Sequence, residues 1–215
     1  MQHFSRGFSY SRLLPKSMSS LSGKPDLFEY TSGRFLFNED IRRSERHIEF
    51  DVNALTKVAC HSVGRPLNGV ASITKLTEGG FNRVLQVTFN NGYTILIRLP
   101  YKTTVPKHYT VTSEAATLAL LRAYKVLVPK VLVYSSDQTN AVGTEYTLLE
   151  KLKGTPLSYQ WLSIDTKTRV KIVDIERRLI SIHFLVNGSL YYRHDLDALK
   201  HLILVSDDIV VGLTV

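Results

Sequence analysis

Residues 75–99 read Lys75-Leu76-Thr77-Glu78-Gly79-Gly80-Phe81-Asn82-Arg83-Val84-Leu85-Gln86-Val87-Thr88-Phe89-Asn90-Asn91-Gly92-Tyr93-Thr94-Ile95-Leu96-Ile97-Arg98-Leu99, and this stretch decides the fold. Its apolar residues alternate with polar ones, the period of a half-buried strand. The break at Glu78–Asn82 separates a first strand, from Val70 to Leu76, from a second, Arg83–Phe89. Asn91-Gly92 then signals a tight hairpin into a third strand, Tyr93–Leu99. With a two-residue loop, Asn90 would pair with Tyr93, Val87 with Leu96 and Leu85 with Arg98, placing Leu85, Val87, Leu96 and Arg98 on one face.

Working outward, residues 112–124 carry a helical period, Lys130–Tyr134 and Glu145–Leu149 read as further strands, and the chain turns helical from Thr166 to about Phe184. Upstream, Asp51 can cap a helix whose Val52, Leu55, Val58 and Ala59 share a face, ended by Gly64-Arg65-Pro66. Three strands, a helix, two strands, a linker and then helices define an α+β chain in two lobes: an antiparallel five-stranded sheet with one helix, a hinge, and the start of a helical lobe. The expected divisions are a leader (1–25), an arm and helix (26–66), the sheet-bearing lobe (67–152) and a partial helical lobe (153–215).

Composition narrows the function classes. The chain has 215 residues, 44% hydrophobic and 21% charged, the balance of an ordinary globular protein. No apolar run approaches bilayer length. Cys60 is the only cysteine, which excludes an intrachain disulfide, and no His stands at zinc-site spacing from it. Half of the net charge of +8 comes from Arg6, Arg12, Lys16 and Lys24, ahead of the first acid at Asp26. The slight excess elsewhere argues against a nucleic-acid partner. The leader is rich in Ser and Arg, poor in acid, and lacks the apolar core of a secretory signal. That is the composition of a mitochondrial presequence; a plain basic tail is the alternative.

Three features carry chemistry. A glycine turn between antiparallel strands, here Gly79-Gly80-Phe81-Asn82, lets backbone N–H groups approach a polyphosphate, although many hairpins carry Gly-Gly for turn geometry alone. Apolar neighbours such as Val87 and Leu96 would roof a base, while Arg98 presents forked donors to phosphate oxygens. Glu114, near the start of the next helix, can orient Arg98 by pairing with it, or merely complement the helix dipole. The strand that ends at Glu150-Lys151-Leu152 leaves the sheet there, so backbone groups at Glu150 and Leu152 could read the edge of a base.

These pieces resemble a known family. Lys75–Val84, Ile97-Arg98-Leu99-Pro100-Tyr101, Val105-Pro106-Lys107-His108-Tyr109, Ser113-Glu114-Ala115-Ala116, Val128-Pro129-Lys130-Val131, Gly154-Thr155-Pro156-Leu157 and Gly188-Ser189-Leu190-Tyr191-Tyr192 look like the fungal branch of the phosphotransferase enzyme family. That family is of the aminoglycoside-phosphotransferase, kinase-like type, and the branch includes the altered inheritance of mitochondria protein 9 group. The resemblance covers about residues 28–210. It implies a protein-kinase-like fold with Mg-ATP as cofactor, Arg98 in the phosphate-binding position, Glu114 as its helix partner and Glu150–Leu152 as the hinge. It also implies a mitochondrial address and transfer of phosphate to a small hydroxyl-bearing acceptor.

The same family places its catalytic residues in a His-x-Asp-x-x-x-x-Asn loop followed by a metal-binding Asp. His194-Asp195-Leu196-Asp197 departs from that pattern, with Leu196 in place of the Asp and His201 where Asn is needed. Leu202–Asp208 imitates a strand ending on a metal-binding Asp without a catalytic loop before it. The expectation is therefore an ATP-cradling lobe in a chain that stops before the catalytic loop, with uncovered apolar surface on the Thr166–Phe184 helix. The alternative is a non-catalytic, pseudokinase-like nucleotide-binding or scaffold module.

Overall fold

The computed structural model describes residues 27–196 and 202–212. The leader over 1–25, and with it the presequence expected there, lies outside the described residues, as do Asp197 and His201. The elements run α1 (Glu39–Arg46), α2 (Val52–Ser62), β1 (Val70–Glu78), β2 (Asn82–Phe89), β3 (Thr94–Pro100), α3 (Tyr109–Ala123), β4 (Val131–Ser135), β5 (Tyr146–Glu150), α4 (Thr166–Ile180), β6 (Ser189–Tyr192), β7 (Leu202–Leu204) and β8 (Ile209–Gly212). β1 to β5 form an antiparallel five-stranded sheet in the order β1-β2-β3-β5-β4, with α3 inserted between β3 and β4. This is the α+β arrangement expected from the alternation of strand and helix periods.

One face of the sheet is sealed by the arm and α2. Asp51 caps α2 by accepting from the N–H groups of Asn53 (2.8 Å) and Ala54 (2.9 Å), satisfying donors that a helix start otherwise leaves unpaired. Leu55, Ala59 and Cys60 of α2 then pack with Leu85, Val87, Ile95 and Ile97 in the main core.

The β2–β3 register corrects the sequence expectation. The strands pair Val84 with Arg98, Gln86 with Leu96 and Val87 with Ile95, one residue out of step with a two-residue loop. Phe89 and Tyr93 close the hairpin (Phe89 N–H to Tyr93 C=O, 2.8 Å), and the Gly92 N–H returns to the Phe89 carbonyl at 2.8 Å. The loop is thus Asn90–Gly92, with Gly92 at φ 79° in the left-handed region, a three-residue hairpin with a glycine bulge. The extra residue moves Leu85 and Val87 to the sealed face, where both are fully buried. Val87 therefore does not join Leu96 and Arg98; Val84 and Gln86 take that place.

Beyond the hinge the structure departs further from a purely helical lobe. α4 is followed by an antiparallel three-stranded sheet in the order β6-β8-β7. Glycine is required here by close approach: a Cβ on Gly188 would lie 2.5 Å from the Gly212 carbonyl oxygen. The small sheet packs on α3, with Ala116 and Leu120 of α3 meeting Ile182 and Ile209, and its first strand also touches β4, where Tyr192 stacks on Tyr134. Ile172 and Ile175 of α4 are partly covered, whereas Trp161, Leu162, Val170, Val173 and Ile180 stand exposed, in line with the expected uncovered apolar surface.

Leu85→Ala is expected to lower the unfolding free energy by about 2–5 kcal/mol, the cost of a core cavity. Equilibrium urea unfolding measures it.

Candidate functional site

The sheet face opposite α2 carries the residues singled out by their chemistry. Alternation along β3 puts Leu96 and Arg98 on this face, between Gln86 and Val84 of β2 and Leu149 and Thr147 of β5. α3 lies over the same face. Arg98 forms an ion pair with Glu114, so the two residues meet as the spacing allowed. Glu114 is the sixth residue of α3, which begins at Tyr109 rather than at 112. The helix-dipole effect fades within the first turn, which leaves pairing with Arg98 as the main role of Glu114.

Both side chains are half-buried, and burial pulls the Arg98 pKa down. The guanidinium nevertheless stays charged at neutral pH, because an arginine cannot be deprotonated in proteins. Glu114 sits at the edge of the buried stripe of α3, which is Val111, Thr112, Ala115, Ala116 and Leu120. There it lines a 410 Å³ cavity with Thr110, Ser113, Thr117 and Tyr191.

The glycine turn is a tight reversal in which the Gly79 N–H bonds the Asn82 carbonyl at 2.9 Å. Neither Gly79 nor Gly80 has positive φ, and a Cβ on Gly80 would meet open space. The two glycines are thus not demanded by backbone strain. Phe81 projects into solvent, and its carbonyl accepts from the Tyr101 N–H (2.9 Å) and the Thr104 hydroxyl (2.6 Å).

The turn is framed by an ion pair that the sequence reading passed over. Glu78 and Arg83 face each other across the β1–β2 register, with a contact of 3.1 Å and essentially no solvent exposure. Burial alone would push the Glu78 carboxyl up, but the Thr31 N–H, the Ser32 hydroxyl and the Lys75 ammonium hold it below the usual glutamate range. Opposite charges at the two ends of a short turn were the available signal, because residues flanking a reversal become cross-strand neighbours.

At the end of β5, the Glu150 carboxylate pairs with Arg122 of α3 at 3.1 Å and the Glu150 backbone N–H donates to the Lys130 carbonyl at 2.9 Å. Leu152 is half-exposed and lies beyond the last ladder pair, Ile95 with Glu150. Lys151 reaches back to the Gln86 side-chain oxygen at 2.6 Å, tying the linker to β2.

The His194-Asp195 pair serves as a joint. Tyr134 of β4 donates its hydroxyl to Asp195 Oδ2 at 2.7 Å, and burial, followed by this bond, raises the phenol pKa. The ring of His108, the residue before α3, lies 2.9 Å from the Asp195 carbonyl oxygen through Nε2 and 2.7 Å from the Ser136 hydroxyl through Nδ1. Among the described residues no group of three His, Cys, Asp or Glu could hold a metal ion, and no helix is long and apolar enough to cross a membrane.

No family model matches the chain. A subtelomeric hrmA-associated cluster protein of Aspergillus fumigatus is 42% identical over 145 residues, covering 65% of this chain and 28% of that protein. Altered inheritance of mitochondria protein 9, mitochondrial, of Candida tropicalis is 30% identical over 210 residues, covering 79% and 34%. Its namesake in Clavispora lusitaniae is 28% identical over 224 aligned positions, covering 84% and 36%. The chain is similar to this mitochondrially named group, as its motifs imply, and spans 28% to 36% of the length of these three curated relatives. The solved GDP and kanamycin complex of APH(2″)-IIIa matches with a TM-score of 0.44 at 18% identity, over 60% of this chain and 42% of that one.

Because the folded-state pKa of Glu78 is depressed, its stabilising contribution is complete above the ordinary glutamate value of about 4.3. It is lost as pH falls through the folded value. The stability gap between the native chain and Glu78→Gln should therefore be constant from neutrality down to about pH 5 and close on further acidification. Urea titrations at stepped pH would measure the gap.

Proposed function

We propose that residues 67–152 bind a nucleoside triphosphate, ATP by the sequence resemblance, between the sheet and the hinge. In this reading the lobe is the front of a kinase-fold phosphotransferase in mitochondria. The observation that carries the reading is the Arg98–Glu114 ion pair. It fixes one guanidinium on the sheet face that α3 overlies, and the carboxylate occupies only part of its five-donor fork. The remaining donors suit the charged oxygens of a polyphosphate.

The neighbouring residues support the same assignment. Leu96 and Val84 give the face an apolar patch for a base. Gly79 and Gly80 put no side chain between the turn and a phosphate, and Phe81 and Asn82 complete that turn. Glu150 and Leu152 border the site at the hinge. The chain's own residues would thus bind and orient the nucleotide. Metal-binding carboxylates and the acceptor hydroxyl, taken to be on a small molecule, would be met by parts of the protein beyond these residues. The mitochondrial address rests on the composition of the leader and on relatives whose names carry it.

A second reading is a nucleotide-binding scaffold without catalysis, in which Asp195 is a structural acid that accepts from the Tyr134 hydroxyl. In both readings nucleotide binding comes first. Calorimetry with Mg-ATP should detect binding by the folded chain, and Arg98→Ala should weaken it by about ten- to a hundredfold, the loss of a charge-assisted hydrogen bond. A folded sample that takes up no nucleotide would overturn both.

A further inference from the structure

The glycine turn is held from outside the sheet. Its flanking residues, Glu78 and Arg83, pair with each other, and each is also tied to the arm that precedes α2. Glu78 Oε2 accepts from the Thr31 N–H at 2.9 Å, the Thr31 hydroxyl at 3.3 Å and the Ser32 hydroxyl at 2.8 Å. Arg83 donates to the Leu27 carbonyl at 2.8 Å and the Arg46 carbonyl at 3.0 Å. Lys75, on the same strand as Glu78, donates to the Glu29 carbonyl at 2.8 Å. The Arg46 guanidinium is packed on Phe35 (4.8 Å), Tyr30 (5.6 Å) and Tyr101 (5.7 Å), which closes the arm over the end of the sheet.

These contacts exceed what a β-turn needs. The turn closes its own backbone with the Gly79–Asn82 bond, while a carboxylate, a guanidinium and an ammonium of β1 and β2 are held by the arm's N–H, hydroxyl and carbonyl groups. All three charged groups sit out of solvent (side chains 1%, 0% and 16% exposed), where they are tolerated only with their hydrogen bonds made. Departure of the arm would leave these charges short of partners, so the position of the turn follows the position of the arm.

We propose that residues 27–32 form a strap that sets the pitch of the Gly79–Asn82 turn, with Glu78 and Arg83 as positioning residues. Arm docking and nucleotide affinity are then coupled, a consequence that rests on the nucleotide reading above. By reciprocity, a bound nucleotide tightens the arm as much as the docked arm tightens the nucleotide.

The test uses arm-side variants, because Glu78→Gln leaves Arg83 buried without its counter-charge and endangers folding. Ser32→Ala, alone and with Thr31→Val, keeps the Glu78–Arg83 pair. Hydrogen exchange then reports the amides of Gly79 (bonded to Asn82) and Tyr101 (bonded to Phe81), with Gly92 in the distant hairpin as control. The expected result is roughly tenfold faster exchange at Gly79 and Tyr101, no change at Gly92, and a roughly tenfold weaker Kd for Mg-ATP. Ser32→Thr, which keeps the hydroxyl, restores both. Unchanged exchange at the turn, or an equal rise at Gly92, overturns the strap. Faster exchange at the turn with undiminished affinity overturns the positioning role. A native chain that binds no nucleotide, but whose turn loosens in Ser32→Ala, upholds the strap and removes the nucleotide reading alone.

Discussion

The organising constraint of this molecule is the register of β2 against β3, set by a hairpin in which Gly92 occupies the left-handed region. Side chains alternate across a strand, so a slip of one residue exchanges everything one face shows for everything the other hides. In the observed register Ile95, Ile97 and Leu99 are sealed against the arm and α2, and Leu96 and Arg98 take the other face, where Arg98 meets Glu114 of α3. The opposite register would put a guanidinium into that sealed core and three large aliphatic side chains into the cleft. Burying an uncompensated charge costs far more than any turn preference, so the bulge and the hydrophobic pattern enforce each other.

Much of this was legible in the chain because the signals are local. Alternation from Val70 to Leu99 gives three strands, Asp51 with the following apolar stripe gives a capped helix, and Arg98 and Glu114 could be matched as partners across a strand and a helix. Asn91-Gly92 announced a hairpin correctly, but the two-residue loop expected of it is a three-residue one, and the extra residue moved Leu85 and Val87 to the far face. The small sheet was illegible for a different reason: β6 pairs with β8, about twenty residues away, and short strands of four residues or fewer carry little periodicity. The Glu78–Arg83 pair was hidden by attention to the glycines between them.

Two ion pairs on neighbouring strands show how burial decides what a charge can do. Glu78 and Arg83 are withdrawn from water, and their remaining valences are met by arm carbonyls, hydroxyls and an N–H. Such a pair contributes little net stability over an apolar replacement, yet it tolerates no missing member, which makes it a device for fixing geometry. Arg98 and Glu114 are only half withdrawn. Water still reaches the guanidinium, so a more highly charged partner can be added without breaking the existing bond.

α3 packs against both sheets, on β4 and β5 of the larger and on β6 of the smaller, and it is pinned at its start where His108 touches both Ser136 and Asp195. A helix held by both sheets behaves as a fixed post. Swinging outward would break the His108 contacts with Ser136 and Asp195 and uncover Ala116 and Leu120 together, which resists movement of the Glu114 carboxylate relative to the sheet. Whatever adjusts the cleft must then act on the Gly79–Asn82 turn.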